Sequence, residues 1–169
     1  MGLAVGVLYD CATDVFESYA EARVEALVER LLSAPVVIGF NVRRFDYGVL
    51  RGYTERRLDE IRTFDLLEDV HARIGYRLGL DHLAEHTLGR HKTASGLQSL
   101  EWFRRGEIAK VEAYCRADVE ITRDLWLHGA REGYVDFLDR RTNRRTRLPV
   151  DWGHETILAR ATGRGEPRR

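Results

Sequence analysis

Lysine is nearly absent from this 169-residue chain: Lys92 and Lys110 are the only two, and the other basic residues are arginine. Cysteine is equally scarce, with Cys11 and Cys115 far apart in sequence, which excludes a CxxC metal pair and any disulfide framework. Net charge is zero, with 27 basic against 27 acidic residues, so no global field draws the chain to nucleic acid or to an anionic membrane. No apolar run approaches the roughly 20 residues that span a bilayer. Met1 to Asp10 carries no basic stretch and no small-residue cleavage site, so a cytoplasmic location is expected. A Gly-rich phosphate loop, a G-x-S-x-G elbow and a dinucleotide fingerprint are all missing, which weakens NTPase, serine-hydrolase and dehydrogenase readings.

What is present is a globular composition, 44% hydrophobic and 32% charged, with charge unevenly spread. Residues 1–40 hold two arginines against six acids, whereas residues 140–169 hold nine arginines against three acids. A basic surface at one end of the fold follows, unless that end is a solvated tail.

Periodicity organises the chain into alternating elements. Leu3–Tyr9 and Val15–Tyr19 read as a β-hairpin around Asp10–Asp14. Val24, Leu27, Val28, Leu31 and Leu32 recur at helical spacing, and Pro35 stops that helix. Val36–Phe40 is a continuous apolar run, expected to be a strand buried on both faces and paired in parallel. A helix is expected from Asn41 to about Arg57 with Phe45, Val49 and Leu50 inward, then a strand at Ile61–Phe64. Further helices are expected at 67–74, at 80–88 closed by Gly89, at 97–105 and at 108–127. Tyr134–Leu138 and Arg147–Val150 suggest a terminal hairpin. The expected organisation is therefore an α/β domain over 1–130, a hairpin extension over 131–152, and a disordered tail over 153–169.

Two constellations could carry chemistry. Asn41-x-x-x-Phe45-Asp46 follows the buried strand, the place where polar residues of an α/β sheet meet a ligand. Taken alone, Asn41 also reads as a helix N-cap and Asp46 as an acid near a helix start. Tyr114-x-x-x-Asp118 puts a tyrosine and a carboxylate on one helix face, turned toward the protein together with Val111, Ile121 and Leu125. Burying a carboxylate is expensive unless a metal, a cation or several donors compensate it. His82 and His86 share a helix face beside His91, but Leu83 stands where an H-E-x-x-H site has Glu, so packing or surface histidines are the simpler reading.

In order and context, these motifs resemble the tyrosine-type branch of the DEDD superfamily of 3′–5′ exonucleases, which have the ribonuclease H-like fold. Asn41, Phe45 and Asp46 resemble its second motif, and Tyr114 with Asp118 its third. The stretch from Thr63-Phe-Asp65 through Leu80–Ala84, Thr87–Gly89, Lys92 and Trp102 resembles bacterial exonuclease-like or helicase-associated domains of that fold.

The resemblance implies a ribonuclease H-like mixed sheet with flanking helices, and hydrolysis of the 3′ end of single-stranded DNA or RNA. It implies Mg²⁺ or Mn²⁺ held by carboxylates, as suits hard cations. Asp46 and Asp118 would be ligands, with Asp65 as a further candidate. Tyr114 would orient the attacking water, Asn41 and Phe45 would shape the site around the terminal nucleotide, and Lys92 would meet substrate phosphate.

The family's first motif, Asp-x-Glu on a central first strand, has no counterpart here. Met1 is then expected to be an internal methionine of a protein that begins earlier. The alternative is a deletion in which Leu3–Tyr9 pairs directly with Val36–Phe40. A missing central strand leaves an exposed edge and an expectation of self-association. Two rival readings remain: a catalytically silent nucleic-acid-binding module of the same fold, and a scaffold domain whose Arg140–Arg147 region meets a partner protein.

Overall fold

The structure is a computed structural model that describes residues 2–91 and 94–161. It opens with an antiparallel hairpin of β1 (Val5–Asp10) and β2 (Val15–Ala20). Asp10 builds the turn: its carbonyl accepts from the Asp14 amide at 2.9 Å and its carboxylate from the Ala12 amide at 2.8 Å. α1 (Val24–Ser33) follows a short 3₁₀ turn, and its C-cap Ala34 is driven into extended backbone by Pro35.

β3 (Val37–Gly39) then pairs in parallel with β4 (Thr63–Asp65). Five-residue α2 (Asp46–Leu50) lies between them. α3 (Leu66–Ile74), α4 (Leu80–Leu88), α5 (Gly96–Arg104) and the long α6 (Ile108–Glu132) follow. The chain closes with a hairpin of β5 (Tyr134–Asp139) and β6 (Arg144–Pro149), and with α7 (His154–Arg160).

Two apolar clusters hold these elements. One packs α1 and α2 against the strands: Val24, Leu27, Val28, Tyr47 and Leu50 are buried with Tyr19, Leu58 and Ile61, and Leu8 and Val37 join them. The other joins Phe64, Leu66, Val70, Leu83 and Leu125 to Val135, Phe137, Val150, Trp152 and Ile157, with Ile38 at its border. Successive strand residues point to opposite faces, so Val37 and Ile38 place β3 between the two clusters.

β1 lies between α1 and α6. Its Gly6 lies so close to α1 that a Cβ there would be 2.5 Å from Leu27 Cδ2, while its Tyr9 ring meets Arg123 of α6. Among the described residues no hydrogen-bonded ladder joins β1 to β3, and the strands form three separate pairs.

Several expectations change. The strand expected over 36–40 shortens to three residues, and Val37 and Ile38 are half-buried, because one long edge of β3 has no described strand partner. Direct pairing of the first strand with it does not occur.

The helix expected over 41–57 contracts to α2. Phe45 lies outside it and is 53% exposed, so it does not face inward. The long helix passes Leu127 to Glu132 and ends at left-handed Gly133.

The tail expected from 153 instead begins with α7. Ile157 and Ala161 are buried there because they complete the second cluster; residues 162–169 lie outside the described part. The hairpin extension shares that same cluster and so forms one hydrophobic unit with the preceding helices. Among the described residues, no helix is long and apolar enough to cross a membrane.

Candidate functional site

The carboxyl ends of the parallel pair β3–β4 organise the site. Asp65 ends β4 and caps α3, accepting from the Leu67 amide at 3.1 Å. Its carboxylate also accepts from the Asn41 amide at 2.8 Å and from the Arg43 amide at 3.3 Å. Two of these three backbone donors, Asn41 and Arg43, thus hold the loop after β3 onto the end of β4. Asn41 adopts a left-handed backbone, φ 62°, so that its amide can turn toward Asp65. Its side chain caps no helix; Oδ1 accepts from Arg77 at 2.5 Å. Arg43 continues the clamp by donating to the Thr63 carbonyl at 2.7 Å, and Tyr47 shares a 2.7 Å hydroxyl contact with Thr63.

Asp46 begins α2 rather than lying a turn and a half into a helix. As a residue it is open to solvent, yet protein crowds its carboxyl enough to push the pKa from 3.8 up to about 6. Lost hydration is the largest cause, and the charges of Asp65 and Asp118 add to it. Cys115 reports the same convergence from α6. Burial first, then Asp118, Asp46 and Glu112, push its thiol up to about 11, so it stays protonated at neutral pH. Asp46 of the second motif and Asp118 of the third are therefore near enough to act on each other's charge.

Tyr114 lies one turn before Asp118 on the half-buried side of α6, and its hydroxyl points to the start of α5, 4.0 Å from where a Cβ on Gly96 would sit. Lys92 lies outside the described residues.

Next to Asp46, Phe45 lines a shallow open cleft of about 660 Å³ with Arg44, Gly48, Val49, Gly52 and Tyr53. An exposed aromatic ring beside a guanidinium offers a flat apolar face and a positive charge, a combination that suits a nucleobase and its phosphate. Sequence reasoning missed Arg43 and Arg77, which shape the loop. No motif marks them, because each acts on a partner 20 or 36 residues away.

The donor set fits a hard divalent cation in kind. Its ligands would be carboxylate oxygens, and the mutual repulsion around Asp46 is what a cation relieves. Three backbone amides already engage Asp65, which makes it the weaker candidate ligand. Among the described residues, no group of three or more His, Cys, Asp or Glu is placed to hold a metal. His82 serves packing: its Nε2 accepts from the Leu138 amide at 3.0 Å, and its ring meets that of His86 with centroids 4.6 Å apart, while His91 is exposed.

A mixed α/β fold with a parallel strand pair flanked by helices is a nuclease-type fold of the ribonuclease H-like class. A model of the RNase H superfamily matches residues 5–128, and the chain belongs to that superfamily. No curated protein and no solved structure matches it.

Proposed function

We propose that this domain is a metal-dependent 3′–5′ exonuclease of the tyrosine-type DEDD branch, acting on the 3′ end of single-stranded DNA or RNA. The observation that carries the reading is the crowding of Asp46 by Asp65 and Asp118 at the carboxyl edge of the parallel pair. Members of the RNase H superfamily generally use divalent metals, and here Asp46 and Asp118 would hold Mg²⁺ or Mn²⁺. Bound there, the ion would lower the pKa of a water and stabilise the leaving 3′ oxygen.

The chain's own residues do the rest. Phe45 and Tyr53 offer ring faces to the terminal base, and Arg44 offers charge to its phosphate. Asn41, held by Arg77 and Asp65, keeps the loop before Asp46 in one conformation. Tyr114 orients the attacking water from the helix that carries Asp118.

Release of mononucleotides from a 5′-labelled single strand in Mn²⁺ tests this. Asp118→Asn should reduce the rate by about a thousandfold or more, and Tyr114→Phe by about ten- to a hundredfold. Equal rates for parent and variants would refute the assignment of both residues.

A second reading, a silent nucleic-acid-binding module, draws on two observations. The Asp65 carboxylate is engaged by three amides, and the described residues assemble no three-ligand group. It predicts salt-sensitive binding of a single strand with no cleavage in any divalent metal.

A further inference from the structure

The β5–β6 hairpin lies beyond the superfamily match, which ends at residue 128, so family membership assigns it no role. It concentrates charge of one sign. Arg140, Arg141, Arg144, Arg145 and Arg147 stand in residues 134–149 against only Asp136 and Asp139. All five arginines are exposed, whereas the two aspartates are buried at 6% and 9%. Arg145 and Arg147 each approach Asp136 at 3.1 Å and cover it. Asp136 thus fixes Arg145 and Arg147 from beneath, and with five arginines against two buried acids the outward face is positive.

The platform is stiff. Asp139 pins the turn by accepting from the Asn143 amide at 2.8 Å and from the Arg141 amide at 2.9 Å. The Arg147 guanidinium lies 3.5 Å from the centroid of the Tyr134 ring. Thr87 Oγ1 of α4 both accepts from the Asp136 amide and donates to its carbonyl, each at 3.0 Å, so α4 closes one edge of β5.

Two consecutive residues bridge this platform to the candidate site. Tyr76 donates to Asp139 at 3.3 Å and carries Arg140 over its ring, while Arg77 donates to Asn41. Neighbouring backbone positions are about 3.8 Å apart, so the contact to the basic hairpin and the contact to the loop before Asp46 spring from adjacent residues.

We propose that this hairpin is an arginine arm that grips the sugar-phosphate backbone of a single-stranded nucleic acid whose end enters the candidate site. The choice of a nucleic acid over another polyanion rests on the nuclease reading of that site. Guanidinium forks match phosphate oxygens in pairs, and arginines already held by Asp136 and by the rings lose little freedom on binding. A lipid surface fits poorly, because the exposed hairpin residues are arginine, threonine, asparagine and proline, with no aromatic or leucine to insert.

The test measures anisotropy of a labelled oligothymidylate in EDTA across a salt series, for the parent and for Arg140→Gln/Arg141→Gln/Arg144→Gln. These three leave the Asp136 pairs intact. The triple variant should bind at least about tenfold more weakly, and its log–log salt slope should fall by about 2, at roughly 0.7 per lost single-strand phosphate contact. The matching Lys triple should retain most of the binding. If the Gln triple melts below the parent, Arg141→Glu is used instead and should weaken binding alone.

An unchanged affinity and slope would overturn the arm. So would a parent that ignores the oligonucleotide but binds phosphatidylserine vesicles or polyglutamate. Cleavage separates the two proposals. A parent that cleaves, with the Gln triple binding equally well, loses the arm and keeps the nuclease; a parent that binds through the arm without cleaving does the reverse.

Discussion

Asp46 is an acid whose folded surroundings work against its charge. An ordinary aspartate titrates at 3.8, and here the pKa is about 6. Between those values the folded protein binds more protons than the unfolded chain, so stability falls as pH rises from about 4 to about 6. Above that window the cost is fully present. In EDTA, Asp46→Asn should therefore melt at a higher temperature than the parent at about pH 7.5, and the two should converge near pH 4. Calorimetry at the two pH values checks this, and a variant no more stable at the higher pH would show that the carboxyl is not crowded. Added Mg²⁺ should raise the parent's melting temperature more than the variant's, by linkage to the state that binds it.

At the scale of elements, α6 shows how a glycine that looks like a stop signal can be a contact. A helix ending near Leu127 is the natural reading when Gly129 follows. The helix instead runs through Gly129 because the Trp152 ring lies flat on it: a Cβ there would sit 2.2 Å from Cε3 and 2.9 Å from Cζ3. Trp152 has no room to move, being fully buried and donating to Asp69 at 2.8 Å. Gly129→Ala should gain helix propensity of about 1 kcal/mol yet destabilise overall by about 1–3 kcal/mol through overpacking. Urea unfolding measures the balance, and a stabilised variant would mean that the indole slides aside.

The two hairpins behave in the opposite way. Asp10-x-x-x-Asp14 and Asp139-x-x-x-Asn143 use the same device: an aspartate carbonyl and carboxylate pin the turn, and a left-handed Asp or Asn closes it. That chemistry is local, so both hairpins were legible as hairpins, although β6 begins at Arg144 and not at Arg147, because the Asp139–Asn143 turn is tighter than the polar stretch suggests.

For the whole molecule, the decisive tie runs from α3 to the C-terminal elements. Asp69 is buried, accepts from Trp152 and from Arg73 Nε at 3.0 Å, and pairs with Arg160 of α7. Burial alone would raise its pKa, but the Trp152, Arg160 and Arg73 contacts outweigh it and hold the pKa below the ordinary value. Its contribution is complete above about pH 4 and is lost as pH falls through the folded pKa. Asp69→Asn leaves two guanidiniums without their counter-charge and should cost about 3 kcal/mol or more at neutral pH, read from urea midpoints.

Much of this protein follows from its sequence by itself. Apolar spacing placed α1, α3, α4 and α5 to within a residue or a few, Gly89 ended α4, and turn residues shaped both hairpins. Each of these depends on residues within about one or two turns of one another, so the pattern contains the cause. Tertiary structure decided the remainder.

The loop after β3 abandoned a helix because its amides found Asp65, 24 and 22 residues away. α7 formed where a tail was expected because Asp69, 91 residues earlier, held Arg160. Burial of its carboxyl raised the pKa of Asp46, and the charges of Asp65 and Asp118 added to that rise. In every such case the energy lies in a burial or a charge pair between distant segments. A carboxylate's role is then set by what the fold brings beside it, which residue type and spacing do not encode.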